Sequence, residues 1–375
     1  MESGASDLHL KVARPPVVRH DGILAPVRDW PALDEAELER VLETVTASDV
    51  ERRDAFARTG ELDLAYTAPG LPRFRVNGFR QRGAISFAFR LIPTEIPSFA
   101  GLALPDGVAV LAEEQRGLVL CTGATGSGKS TTLAAIVGHI NETRQCHVVT
   151  IEDPIEFLHE DRQSIVNQRE VGLDTASFGE ALRRALRQDP DVILIGELRD
   201  AETTQTAMQA AESGHLVLST LHTVDAAESI GRIIEFFPPE KQQQVRSILA
   251  GVLRGVISQR LLPRTDGGRI PAVEVMVTNA RIADLIRENR AEEIQDAIEE
   301  GAFYKMQTFS QALIRLVIDE VVDRDVAADA ATNRHDFLVA LDHALKQHEV
   351  DLRAAAEAEQ AQAEQSLRLV QSREP

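Results

Sequence analysis

The sequence predicts an α/β fold: a mostly parallel sheet with helices on both faces, preceded by a smaller α+β domain and followed by a helical extension. Three observations carry this reading. From Arg116 onward, short apolar runs alternate with segments of helical spacing. The first run, Leu118–Cys121, leads into a glycine-rich loop and then a helix. After Val277 the apolar residues recur at helical spacing alone.

Residues 1–92 read as the α+β domain. Pro15, Pro16, Asp21 and Gly22 punctuate extended pieces at Val17–Arg19 and Ile23–Val27. Asp34 with Glu37 has the spacing of a capping box, ahead of Leu38, Val41, Leu42 and Val45 on one helical face. Arg73–Phe79 and Ala84–Arg90 alternate as two strands around a turn at Arg82–Gly83. Pro93, Pro97 and Pro105 then stiffen a linker over 93–115.

The core is expected over 116–278. Its strands are Leu118–Cys121, His147–Ile151, Val192–Ile195, Leu216–Thr220 and Ala272–Val277. Its helices run from Ser130 to Asn141, from the Ser177/Glu180 start, over Asp200–Ser213, and from the Asp225/Glu228 cap through Ile230, Ile233, Ile234 and Phe237. A helical subdomain over 279–346 carries three stripes, through Leu285, Leu313 and Leu341. Residues 347–375 are rich in Ala, Glu and Gln with few apolar anchors. They read as an exposed helix or an unstructured tail, with no function assigned.

Composition bounds the function. The chain is 43% hydrophobic, enough for a sizeable core, yet no apolar run approaches the ~18–20 residues of a membrane span. No signal-peptide pattern opens the chain, so membrane association is expected only through a partner and not by direct insertion. Cys121 lies in an apolar run and Cys146 lacks metal-ligand spacing, which suits a reducing cytoplasm. A net charge of −19 argues against a general affinity for nucleic acid.

Four segments carry chemistry. Gly123-Ala124-Thr125-Gly126-Ser127-Gly128-Lys129-Ser130, followed by Thr131, is a complete Walker A loop set between a strand and a helix. Its backbone N–H groups suit phosphates, Lys129 the β- and γ-phosphates of ATP, and Ser130 a Mg²⁺ ion. Asp189–Glu197 is a buried-type strand ending in a carboxylate. Gly196 stands at the usual Walker B aspartate, so Glu197 alone carries the charge and is the second candidate ligand for Mg²⁺. Thr150–Phe157 places Glu152, Asp153 and Glu156 just after a strand. Gly214–Thr223 flanks a strand with His215 and His222; taken alone, such histidines are usually structural.

In this order the four segments closely resemble the Walker A, Asp box, atypical Walker B and His box of the secretion ATPase superfamily. Within it the resemblance is to the twitching-motility branch, PilT and PilU. Gly4–Leu10, Arg73–Asn77, Asn167–Val171 and Met306–Thr308 match phrases of that branch, and the likeness runs from about Gly4 to Leu345. It implies a RecA-like P-loop ATPase core, a PAS-like N-terminal domain, and a homohexamer with nucleotide at the junction of the two domains and the neighbouring subunit, the linker serving as hinge. It implies that Glu156 activates the attacking water, that Glu197 holds Mg²⁺ or assists, that His222 contacts the γ-phosphate, and that Arg75 and Arg90 close over the phosphates. The partners it implies are an inner-membrane pilus platform protein and a paralogous pilus ATPase, at the inner face of the membrane.

Relatives usually carry a helix ahead of the Gly4–Leu10 phrase, which leaves open whether Met1 is the true start. The stretch Arg281–Glu288 keeps only part of a PilT phrase associated with retraction, while Asp284–Arg287 and Val171–Thr175 look more like PilU, which leaves both labels open. Three alternatives stand beside a retraction motor. One is an extension or type II secretion ATPase, which usually adds an N-terminal domain and a Cys-x-x-Cys insertion. The others are a nucleotide-binding regulator of another motor and a DNA translocase.

Overall fold

The computed structural model describes residues 5–20, 23–47 and 49–371, without the side chains of 352 and 355–371. Gly4, Asp21, Gly22 and the end of the Ala/Glu/Gln-rich tail at 372–375 lie outside the described residues. The chain forms two compact units. The first comprises Met1–Ile96, Ile151–Asp161 and Val166–Ala181; the second comprises Pro97–Thr150, Arg162–Ile165 and Leu182–Pro375.

The first unit is built on six strands, β1 (Asp7–Lys11), β2 (Val17–His20), β3 (Ile23–Pro26), β4 (Glu61–Tyr66), β5 (Phe74–Gln81) and β6 (Ala84–Leu91), in the order β3-β2-β1-β6-β5-β4. All neighbours pair antiparallel. Arg82 and Gly83 both adopt left-handed backbone, at φ 52° and 82°, the form that closes a tight two-residue hairpin between β5 and β6. Helices α1 (Glu35–Val45) and α2 (Val50–Thr59) complete the layer, and Leu38, Phe56, Val76 and Phe87 form its centre. The expected capping box opens α1: Asp34 accepts from the Glu37 N–H at 2.7 Å, and Glu37 accepts from the Asp34 N–H at 2.8 Å. Sequence patterning did not show β1, α2 or β4. In α2 only Phe56 is fully buried, so no apolar stripe marks the helix.

In chain order, the following elements are α3 (Asp106–Ala112), β7 (Gly117–Thr122), α4 (Lys129–Thr143), β8 (His147–Glu152), β9 (Ile165–Glu170), α5 (Phe178–Ala185), β10 (Val192–Ile195), α6 (Ala201–Glu212), β11 (Leu216–Leu221), α7 (Ala226–Glu235), α8 (Pro239–Val252), β12 (Leu253–Pro263) and β13 (Arg269–Val277). The sheet order is β13-β12-β7-β11-β10-β8-β9. The central run β12, β7, β11 and β10 is parallel, and β13 lies antiparallel on β12. The alternating strands and helices thus form a sheet with a parallel centre and an antiparallel hairpin, β12–β13, at one edge.

Two features differ from expectation. The linker stretch holds a helix, α3, whose Val108 and Leu111 are fully buried. Its Gly107 packs so closely that an added Cβ would lie 2.4 Å from the Lys305 carbonyl oxygen. Strand β12 was not anticipated, because Ser258, Gln259 and Arg260 interrupt its apolar pattern; Ser258 and Gln259 are nevertheless buried.

The helical extension consists of α9 (Ala280–Glu288), α10 (Ile294–Glu299), α11 (Phe309–Ile318), α12 (Arg324–Ala330) and α13 (Arg334–Gln371). Phe309, Leu313, Phe337 and Leu341 close a core against Leu262 and Ile270 of the edge hairpin.

Candidate active site

The chemistry-bearing loops of the second unit leave the sheet at neighbouring strand ends. Strand register pairs Thr122 with Leu221 and Ile195 with Ser219. The chain therefore leaves β7 at Gly123, β11 at His222 and β10 at Gly196–Glu197, all at C-terminal ends of adjacent parallel strands. Parallel α/β sheets hold their ligands there.

Gly123–Gly128 runs directly into α4, whose first residue is Lys129. At Gly123, φ is +142°, and a Cβ would lie 2.4 Å from the Gln259 carbonyl oxygen and 2.6 Å from Ser127 Oγ. Only glycine fits that space. Gly128, at φ +92°, is the N-cap of α4 and offers no side-chain cap, which leaves the first helical N–H groups for a ligand. Lys129 is 8% exposed, and its Nζ donates to the carbonyls of Gly123 at 2.7 Å and Ala124 at 3.0 Å. Ser127 Oγ is buried with no hydrogen-bond partner among the described residues. An uncapped helix start, a buried ammonium and an orphaned hydroxyl on one loop together fit an anionic polyphosphate. Ala124, Thr125 and Gly126 form the exposed crest of the loop, and Ser130 and Thr131 lie in the first turn of α4.

Glu197 is half-buried, ion-paired with Arg199, and 3.4 Å from His222 Nε2. The fold thus brings together a carboxylate and an imidazole from two strands. Thr220 of β11 holds both sides of Glu197: its Oγ1 donates to the Gly196 carbonyl at 2.6 Å, and its carbonyl accepts from the Leu198 N–H at 3.1 Å. Sequence reasoning missed Arg199, whose sole signal was its place two residues after Glu197. It also missed Gln259, 2% exposed behind the loop, which accepts from the Cys121 thiol at 3.2 Å. Burial pushes that thiol up to about 12, so Cys121 is an inert core residue, as its apolar surroundings suggested.

In the first unit, Arg75 and Arg90 face each other directly across β5 and β6. Like charges in that position repel. Acidic neighbours offset part of this, since Arg90 Nε donates to Asp7 Oδ1 at 2.9 Å and Arg75 Nε lies 4.0 Å from Asp63 Oδ1. Burial works to raise the Asp7 pKa, but hydrogen bonds from Arg90 and Ser6 outweigh it and hold the carboxyl below its usual value. Both guanidinium groups stay exposed and open to an anion. Glu156 is also exposed, on the loop between β8 and β9. Glu156, Arg75 and Arg90 thus belong to the first unit, and Lys129, Ser130, Glu197 and His222 to the second.

Residues 103–371 match the family described as Type II/IV secretion system protein, which is well over half of the chain. The chain belongs to that family. Its Walker A loop and RecA-like core make it a P-loop ATPase of the Type II/IV secretion system proteins. Among its relatives, the type IV pilus retraction ATPase PilT of Pseudomonas aeruginosa is 43% identical over 336 residues, covering 90% of this chain and 97% of PilT. The pilus ATPase PilU of the same organism is 42% identical, covering 88% of this chain and 86% of PilU. The crystal structure of the pilus retraction motor PilT with bound ADP superposes with a TM-score of 0.83 at 44% identity, covering 89% of this chain and 95% of that one. The fold class read from the sequence, a RecA-like core with a smaller PAS-like α+β domain and a C-terminal helical extension, is the one this likeness shows. Among the described residues no helix is long and apolar enough to cross a membrane.

Proposed function

We propose that this chain is a hexameric motor that hydrolyses Mg-ATP to power type IV pilus retraction. The observation that carries the reading is the likeness to PilT, sustained over 90% of this chain and 97% of PilT. The loop at Gly123–Ser130 would hold the phosphates through its backbone N–H groups and the start of α4, with Lys129 on the β- and γ-phosphates. Ser130 and Glu197 offer the hard oxygen donors that suit Mg²⁺. Bound there, Mg²⁺ would neutralise charge on the phosphate oxygens. Glu156 would take a proton from the water that attacks the γ-phosphorus, leaving ADP and phosphate. The Arg75–Arg90 pair would offset the charge that spreads over the transferring group. His222, beside Glu197, would report γ-phosphate occupancy to β11 and α7.

These groups are divided between the two units of the chain. ATP binding and its cleavage would favour different conformations of the motor, and alternation between them would make a stroke. We place the protein in the cytoplasm at the inner face of the membrane, engaged by a pilus platform protein and working with a paralogous pilus ATPase. Identities of 43% to PilT and 42% to PilU do not separate a principal from an accessory motor.

The test is the count of surface pili, with twitching motility, in cells lacking the gene. Excess pili without twitching are expected, and complementation by Lys129→Ala should fail. Bald cells would make it an extension motor. Unchanged pili in the single deletion, with excess pili only when the paralogue is also removed, would make it the accessory member.

A further inference from the structure

The phrase Asn167–Val171 has no part in the scheme above, yet β9 grips the Glu156 loop on both sides. Gln168 fills three of the four hydrogen-bonding positions of its amide. Its Oε1 accepts from the His159 N–H at 2.8 Å, and its Nε2 donates to the Phe157 carbonyl at 2.9 Å and to Glu152 Oε1 at 3.0 Å. Two residues on, and so on the same face of the strand, Glu170 is 6% exposed. Its Oε2 accepts from Arg73 Nη2 at 2.9 Å and from the Ile155 N–H at 3.3 Å. The two residues flanking Glu156 are thus pinned, Ile155 through its N–H and Phe157 through its carbonyl, while the Glu156 side chain is left exposed. Arg73 lies two residues before Arg75, immediately ahead of the strand that carries it. Burial lowers the pKa of the nearby His159 to about 4, so its ring stays neutral and adds no competing charge.

We propose that Gln168 and Glu170 are positioning residues that fix the loop of Glu156 for proton abstraction, and that Arg73 ties this loop to the strand of Arg75. The inference rests on the reading of Glu156 as the group that activates water. A carboxylate on an exposed loop samples many positions, and displacement by about 1 Å can cost ~10²-fold in rate. Two backbone anchors either side of it remove that freedom without touching the carboxylate.

The experiment is steady-state ATP hydrolysis by the full-length protein, with thermal melting and binding of a fluorescent ATP analogue alongside. Gln168→Ala should lower kcat about 10²-fold with KM, analogue affinity and melting temperature near wild type. Gln168→Glu keeps the acceptor for His159 but loses both donors, and should lose kcat likewise. In single-turnover measurements, Gln168→Ala placed on Glu156→Gln should add no further loss, because both act through one group. A wild-type kcat for Gln168→Ala, or a fully additive double variant, overturns the inference. If Glu156→Gln itself turns over normally, the base reading has failed, which is a separate result. Should Gln168→Ala melt early, Arg73→Lys supplies the second test, since it keeps a cation opposite Glu170 but loses the guanidinium fork. A loss of about 10-fold in kcat alone is expected there, and an unchanged kcat overturns the inference.

Discussion

A phosphate can approach main-chain N–H groups only where no side chain intervenes, and Gly123 shows what that demands. Its backbone is left-handed and its missing Cβ would collide with the Gln259 carbonyl, a main-chain atom that cannot swing aside. Gly126, at φ +80°, has no atom within 4 Å of its would-be Cβ. Gly123→Ala should therefore weaken ATP-analogue binding by 10-fold or more, while Gly126→Ala bears only backbone strain, on the order of 1 kcal/mol. Titration with a fluorescent analogue ranks the two. Glu274 of β13 offers a different residue-scale test. It is 1% exposed, and its Oε1 accepts from the N–H of Ala226, the first residue of α7, at 3.0 Å. Burial pushes its pKa up to about 7; the Ala226 N–H, Gln295 and Arg260 oppose this, and Asp225 adds to it. A carboxyl whose folded pKa is raised contributes stability that is present below its unfolded value, near 4.5, and lost as pH rises through about 7. The melting temperature should fall between pH 5 and pH 7 through this group, and Glu274→Gln should flatten that part of the profile.

Elements explain phrases that residues alone do not. Met306-Gln307-Thr308 holds no catalytic group, and the fold gives each member a structural task. Met306 is buried against Gly301, where a Cβ would meet its Cε at 2.3 Å. Gln307 exchanges backbone hydrogen bonds with Val275 of β13 and donates its amide to the Val273 carbonyl at 2.7 Å. Thr308 forms a capping box with Gln311 at the start of α11. The phrase fastens the helical extension to the edge hairpin. Thr308→Ala should lower stability by about 1 kcal/mol in denaturant titration, with kcat unchanged. The caps at Asp34, Asp225 and Thr308 share one physical basis, a side-chain oxygen satisfying an orphan N–H three residues on. At Asp34 and Asp225 this local geometry was legible in the sequence. Strand β12 and helix α2 were not, because their burial depends on partners distant in sequence.

At the scale of the molecule, the helical extension closes a core of its own on the edge hairpin. Phe337, 2% exposed, lies inside it with Leu313 and Leu341. Phe337→Ala should cost about 3–5 kcal/mol in unfolding free energy. Ending the chain after Gln347 should leave melting temperature and ATP turnover near wild type, since the Ala/Glu/Gln-rich stretch beyond it carries few apolar anchors. By itself the sequence determined the α/β alternation, the Walker A loop, the acidic segment around Glu156 and the apolar strand that leads to Glu197, because each is written in contiguous residues; the strand itself spans only Val192–Ile195, with Glu197 two residues past its end. Only the tertiary structure decided that His222 stands beside Glu197, that Gln259 walls Gly123, that Arg75 faces Arg90, and that Gln168 and Glu170 flank Glu156. Those relations depend on strand order and register, which are set by burying whole faces rather than by any local run of residues.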